Sequence, residues 1–300
     1  MLPSPVPVSI DRLSKRFGSV QAVDSLSFDV SPGRVTGFLG LNGSGKTTTL
    51  RMLLGLVRPD AGTARIGGRA YAELPDPLRT VGASLEASSF HAGRTARDHL
   101  RVLAAAAGIP DSRIDAVLAQ VGLGDAARRR VGGFSLGMRQ RLNLASALLG
   151  DPAVLLLDEP TNGLDPQGIA WLRGFLRHLA SEGRTVLVSS HLLREVEQTV
   201  DDVVIIHRGR LVWRGDLAAA SGDATVTVTT PSPEALLQVL TSAGLDARPS
   251  GADRPHELLV AAAGAPQVGH LAFTAGVELH GLVGSGGLEC LFLRLVKEES

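Results

Sequence analysis

Two short stretches carry residue types that could do chemistry. The first, Gly40 to Thr48, reads GLNGSGKTT. Gly40, Gly45, Lys46 and Thr47 fit the spacing G-x-x-x-x-G-K-[ST]. In that spacing the loop through Asn42, Gly43 and Ser44 curls, and its backbone N–H groups face inward at phosphate oxygens. A helix opening at Lys46 adds the positive potential of its N-terminus. Lys46 is then placed to reach the β- and γ-phosphates of a nucleoside triphosphate, and Thr47, with Thr48 beside it, to ligate Mg2+. The second stretch, VLLLDEP, ends in two acids. Asp158 suits a magnesium ion, directly or through water, and Glu159 can polarise an attacking water as a general base. Taken singly, the loop could be a Gly-rich turn and the acids a helix cap with a solvated neighbour. Together they point to nucleotide hydrolysis, with kinases, GTPases, helicases and transport ATPases all open.

For these groups to meet, the elements around them must form a sheet edge. Val35–Leu39 reads as a short apolar strand feeding the loop, followed by a helix from Lys46 to about Leu56. The runs AVLLLDEP, RTVLVSSH and DVVIIHRG suit strands buried on both faces, as in a parallel sheet flanked by helices. Carboxylates are costly to bury, so they belong at the C-terminal edge of such strands, where open α/β sheets bind ligands. Residues 8–30 alternate apolar and polar in places, the pattern of half-buried strands. From about 86 to 150 the texture is helical. One helix follows a Thr95–Asp98 cap and sets Leu100, Leu103, Ala104 and Ala107 on one face. A second is expected to be capped by Asp111, and a third follows Ser135 in FSLGMRQR. Asp165 caps a helix that opens at Pro166.

A composition shift near residue 222 predicts a second domain. It should hold strands at 225–230, 257–263 and near 277–283, and helices at 233–243, 266–275 and 287–298. No motif in it carries assignable chemistry. The expected organisation is α/β, with a domain over 1–221 and a small accessory α/β domain over 222–300.

The chain has 300 residues, with 30 basic and 30 acidic side chains. A net charge near zero speaks against a dedicated nucleic-acid binder. Cys290 is the one cysteine, so no internal disulfide and no zinc-spaced cluster is expected. No run of apolar residues is long enough to span a bilayer, and the start, MLPSPVPVSIDR, lacks the basic and apolar regions of a signal peptide. Work at a membrane would require another chain.

The order and spacing of GLNGSGKTT, FSLGMRQR, LLLDEPTNGLDP and SSH resemble the ATP-binding subunits of ABC transporters over about residues 6–220. The resemblance implies a P-loop NTPase fold with a parallel core sheet, an antiparallel β subdomain and an α-helical signature subdomain. It implies ATP and Mg2+ as cofactors, a homodimer of cassettes, and a separate membrane permease that holds them at the cytoplasmic face of the plasma membrane. The family signature reads LSGGQ; here it is Phe134-Ser135-Leu136-Gly137-Met138. Ser135 and Gly137 match, while the first glycine and the glutamine are replaced. In the family these residues face the nucleotide held by the other chain.

Other roles follow position by position. Phe17 matches the aromatic that stacks on adenine, with core packing as the other reading. Asp165 matches the aspartate that crosses the dimer interface, and can be a helix cap as well. His191 matches the switch histidine near the γ-phosphate and Glu159. Glu86 stands where the family usually has a Gln touching Mg2+ and water; a carboxylate there can still ligate Mg2+, but adds negative charge. The 86–105 segment, with Phe90 and His91, is the expected permease-docking surface. SLEASSFHAGRTARDHL, FSLGM and the closing GLECLFLRL resemble the bacterial branch that serves drug and peptide-antibiotic (bacitracin-type) export and self-immunity. The alternative is a non-transport cassette, ribosome-associated or regulatory. The single cassette and the presence of Lys46, Asp158, Glu159 and His191 weigh against it.

Overall fold

A computed structural model describes residues 5–85, 90–220, 225–251, 253–261, 264–285, 288, 291–292 and 294–295. The chain divides into two units, Met1–Gly215 and Asp216–Ser300. In chain order the first runs through β1 (Val8–Phe17), β2 (Val20–Val30), β3 (Val35–Leu39), α1 (Lys46–Leu53), β4 (Ala61–Ile66), α2 (Pro77–Thr80) and β5 (Val81–Ser84). Three helices follow, α3 (Ala96–Ala106), α4 (Asp111–Gln120) and α5 (Leu136–Leu148). The unit then alternates through β6 (Val154–Asp158), α6 (Pro166–Ser181), β7 (Thr185–Ser190), α7 (Leu193–Glu197), β8 (Asp202–His207) and β9 (Arg210–Asp216).

Six strands form the central sheet in the order β5-β6-β7-β3-β8-β9. The pairs from β5 through β8 are parallel. Every residue of β3 and β7 is buried, as expected of strands covered on both faces. The consequence for function is positional. The strands β6, β7 and β3 are neighbours, so the ends of VLLLD and TVLVSS and the loop after Leu39 lie side by side at one edge. That is where ligands bind in such sheets.

A second, antiparallel sheet has the order β2-β1-β4. Its inward residues Leu13, Leu26 and Phe28 share one core with Phe38 of β3, Leu50 and Leu53 of α1 and Leu156 of β6. The Phe28 and Phe38 rings lie 5.1 Å apart, and burial of each side chain contributes about 1.5–3 kcal/mol. This packing fixes the loop between β3 and α1 from both sides.

Some expectations shift. The edge strand β5 was not anticipated; its sequence, VGAS, has one β-branched residue and no alternation. The helix after the Gly-rich loop ends at Leu53, and Gly55 at φ 69 turns the chain before Leu56. Thr95 does cap α3, its hydroxyl accepting from the Asp98 N–H. The buried face of α3 is Ala96, Leu100 and Ala104, whereas Leu103 is exposed. Asp111 does not cap α4. It is the first helical residue, after Pro110, and its carboxylate pairs with Arg101 and Arg97 instead.

The second unit contains α8 (Leu217–Ala220), β10 (Thr225–Thr229), α9 (Pro233–Ser242), β11 (Ala247–Pro249), β12 (Glu257–Ala261), α10 (Ala265–Thr274) and β13 (Gly281–Ser285). Its sheet has the order β11-β12-β10-β13, with all neighbours antiparallel. From β10 onward the order βαββαβ, with the third strand inserted beside the first, is the split βαβ, or ferredoxin-like, arrangement. Val226, Val228, Leu258 and Val260 point to one face, where they meet Leu236 and Leu240 of α9 and Val268 and Ala272 of α10. The three-residue β11, Ala-Arg-Pro, was unforeseen. The last strand starts at Gly281 rather than near 277, and most of the expected 287–298 helix lies outside the described residues.

Candidate functional site

From Leu39 the chain turns through Gly40–Gly45 into α1. Gly45 sits at φ 106, and a Cβ there would lie 2.3 Å from the Ala22 carbonyl oxygen, so only glycine closes this loop. Inside it, Ser44 Oγ is buried with no hydrogen-bond partner. The first N–H groups of α1, at Lys46, Thr47 and Thr48, have no intrahelical acceptor. Asn42 and Gly43 are exposed at the tip. An unpaired buried hydroxyl among inward donors fits a phosphate chain.

Lys46 is 6% exposed. Its ammonium donates to Gly40 O at 2.6 Å and Leu41 O at 3.3 Å, and lies 3.4 Å from Glu159 Oε1. A buried cation needs such partners. Thr47 Oγ1 donates to Asp158 Oδ2 at 2.6 Å. The other oxygen, Asp158 Oδ1, accepts from the Ser189 hydroxyl. Hydroxyl and carboxylate in contact form a hard-oxygen donor set that suits Mg2+. Among the described residues no group of three or more His, Cys, Asp or Glu could hold a metal. A magnesium ion here would therefore depend on these two groups plus water and phosphate oxygens, which is its usual habit. Glu86 lies outside the described residues.

Glu159 adopts φ 48, a left-handed conformation costly for a non-glycine residue. Its N–H donates to Ser189 O at 3.2 Å and to Ser189 Oγ at 3.0 Å, which anchors the strained residue. The turn aims its carboxylate between two partners, Lys46 and His191. His191 Nδ1 is 2.8 Å from Glu159 Oε2. Lys46, Thr47, Asp158, Glu159 and His191 are thus brought into one cluster from three adjacent strand ends. Ser189 was missed from sequence, although it touches both acids. Its only signal was its place in SSH, at the end of a buried strand.

Ser135 and Asp165 are both genuine caps. Ser135 Oγ accepts from the Met138 N–H at 3.2 Å, and Asp165 Oδ1 from the Gly168 N–H at 2.7 Å. Gly137 has room for a side chain: an added Cβ would meet Leu164 Cδ2 at 3.5 Å. The packing of this chain alone does not demand glycine there. Among the described contacts neither Ser135 nor Gly137 hydrogen-bonds the Gly40–Thr48 loop. Phe17, at the end of β1, is 50% exposed with Lys15 Nζ 5.4 Å from its ring centre. Core packing is therefore not its role. Phe90 folds back edge-on against His99, ring centres 4.9 Å apart, while His91 is exposed. On α3, Val102 and Leu103 are 49% and 38% exposed.

Residues 23–162 match the family described as ABC transporter, and residues 224–288 match a family described only as a domain of unknown function. The chain is 48% identical over 203 residues to the bacitracin transport ATP-binding protein BcrA of Bacillus licheniformis, covering 67% of this chain and 66% of that one. It is 37% identical over 205 residues to the lantibiotic transport ATP-binding protein SrtF of Streptococcus pyogenes, covering 68% of this chain and 89% of that one. A structure titled as the ATP-binding subunit of an ABC transporter superposes with a TM-score of 0.64 at 28% identity, over 71% of this chain and 91% of that one. With the phosphate loop, paired acids and histidine assembled at one sheet edge, these likenesses show that the chain belongs to the ABC transporter family, as an ATP-binding subunit with ATPase activity.

Proposed function

We propose that two copies of this chain bind two MgATP at their shared interface and use hydrolysis to drive export through a separate membrane permease. The observation that carries this reading is the Glu159 carboxylate held between Lys46 and His191, beside the Thr47–Asp158 pair. Within one chain the Gly40–Thr48 loop wraps the phosphates, with Ser44 Oγ and the α1 amides donating. Lys46 neutralises charge on the β- and γ-oxygens. Thr47 and Asp158 would hold Mg2+, which when bound would offset the negative charge of the phosphates. Phe17, exposed as an adenine platform must be, stacks on the base. Glu159 takes the proton of the attacking water, and His191 holds the carboxylate in line. Ser135 and Gly137, at the N-terminus of α5, meet the γ-phosphate of the second chain, and Asp165 crosses beside them. The chain's differential affinity for ATP in the closed pair drives closure.

ATP-binding subunits of this family work with membrane permease subunits. Among the described residues no helix is long and apolar enough to cross a membrane, so this chain would sit at the cytoplasmic face through its partner. The names of the relatives, which transport bacitracin and a lantibiotic, support a peptide antibiotic or similar amphiphile as cargo. The exposed Val102 and Leu103 of α3, with the exposed His91, support docking on the 86–105 segment. Phe90 instead packs on His99 within that segment. No observation favours a ribosome-associated or regulatory role.

The test is Glu159→Gln. Loss of a positioned general base costs on the order of 10^2 to 10^4-fold. Hydrolysis should fall by that amount while MgATP binding persists and converts monomer to dimer on gel filtration. Multi-turnover hydrolysis near the wild-type rate would exclude the role given to Glu159.

A further inference from the structure

The start of α5 and the turn before α6 fit together as knob and hole. Leu136, the first residue of α5, takes the place of the first glycine of the family signature. It lies over Gly163, which sits at φ 77. A Cβ built on Gly163 would be 2.0 Å from Leu136 Cδ2 and 2.4 Å from its Cγ. No side chain fits between them. Two further contacts run the same way. Leu164 Cδ2 approaches the open side of Gly137, and Gln140 Nε2 donates to Asn162 O at 3.1 Å. Leu136 remains 54% exposed, so it is not a core residue whose loss would unfold the unit.

We infer that Leu136, seated on Gly163, is a positioning residue that sets the register between the signature, Ser135 and Gly137, and the Asp165 turn. The inference rests on the two-chain site proposed above, because both groups act on the second chain's nucleotide. Ser135 precedes Leu136 and caps the same helix, so a displacement of Leu136 that rotation of its side chain does not absorb moves the phosphate-facing end of α5. A methyl at Gly163 would push Leu136 away by about 1.5 Å to reach ordinary van der Waals separation. Misplacing a positioning group by about 1 Å can cost on the order of 100-fold in rate. The leucine and the glycine are therefore a matched pair: the side chain that the signature gains is accommodated by the one that the turn lacks.

The test compares four full-length chains: wild type, Leu136→Gly, Gly163→Ala and the double variant. Each is assayed for kcat and KM of MgATP hydrolysis and for Tm, and for MgATP-induced dimerisation in the Glu159→Gln background. Gly163→Ala should lower kcat by roughly 10- to 100-fold with little change in KM. Adding Leu136→Gly should restore kcat to within about 5-fold of Leu136→Gly alone. Backbone strain from φ 77 is present whichever residue stands at 136, so only the clash can be relieved in this way. An unrelieved loss in the double variant, a Gly163→Ala chain with wild-type kcat, or a kcat that merely follows Tm would each overturn the pairing. A wild-type chain that neither hydrolyses MgATP nor dimerises as Glu159→Gln would instead reject the two-chain reading itself, and the inference with it.

Discussion

Glu159 shows how one residue is made to serve two neighbours. Its left-handed backbone, costing on the order of 1–3 kcal/mol, turns the carboxylate back toward Lys46 and His191 rather than along the strand. Ser189 makes that conformation tenable, since its oxygens accept from the Glu159 N–H while its hydroxyl donates to Asp158. Removing the hydroxyl takes a donor from Asp158 and one of two acceptors from the Glu159 N–H, at a cost of about 1–3 kcal/mol. Ser189→Ala should therefore lower hydrolysis by about 10-fold, with a raised Mg2+ requirement. A titration of activity against Mg2+ that overlays the wild type would count against the bridge. The pairing of Lys46, Thr47, Asp158 and Glu159 was legible in the sequence because each belongs to a contiguous motif. Ser189 was not, because a buried serine acquires meaning only from what lies on the adjacent strand.

At the scale of elements, α3 divides its labour by face. Ala96, Leu100 and Ala104 bind it to its own unit, and Val102 and Leu103 face outward. The sequence put Leu103 on the wrong side because a helix in which most positions are apolar has no clear stripe. Charged replacements of Val102 and Leu103 lie on the surface, where stability changes stay within about 0.5 kcal/mol. Val102→Asp with Leu103→Asp should leave hydrolysis by the isolated chain intact and abolish co-purification with the permease. Retention of the permease would place docking elsewhere.

His99 gives the same element a pH response. Burial, with Arg94 nearby, holds its imidazole below the usual 6.5. The unfolded chain then takes up the proton first, so stability falls as pH drops through 6.5 and continues to fall down to the folded-state value. The decline in Tm from about pH 7.5 to about pH 5 should be smaller for His99→Gln than for the wild type. Equal slopes would assign the acid sensitivity to other groups.

Among the described residues, each of the two units has a hydrophobic core of its own. One is built on Phe28, Phe38 and Leu50, the other on Val226, Leu236 and Val260. Each unit thus has its own source of folding free energy. We expect a chain ending after Ala220 to unfold cooperatively and to bind MgATP as the full chain does, as read by calorimetry and nucleotide titration. Failure of that piece to fold would show that the accessory unit is needed for the cassette.

The sequence by itself determined the parts whose conformation is written within a few residues: the Gly45 turn into α1, the Thr95, Ser135 and Asp165 caps, and the paired acids at the end of a strand apolar enough to be buried. These rest on local sterics and local hydrogen bonds, so composition and spacing suffice. The tertiary structure alone decided that VGAS is a strand, that Ser189 bridges both acids, that Phe90 turns inward to His99, that Leu136 sits on Gly163, and that the last unit threads its third strand beside its first. Each of these depends on partners outside its own turn or strand, and a side chain's role there is set by the space and polarity that those partners leave it.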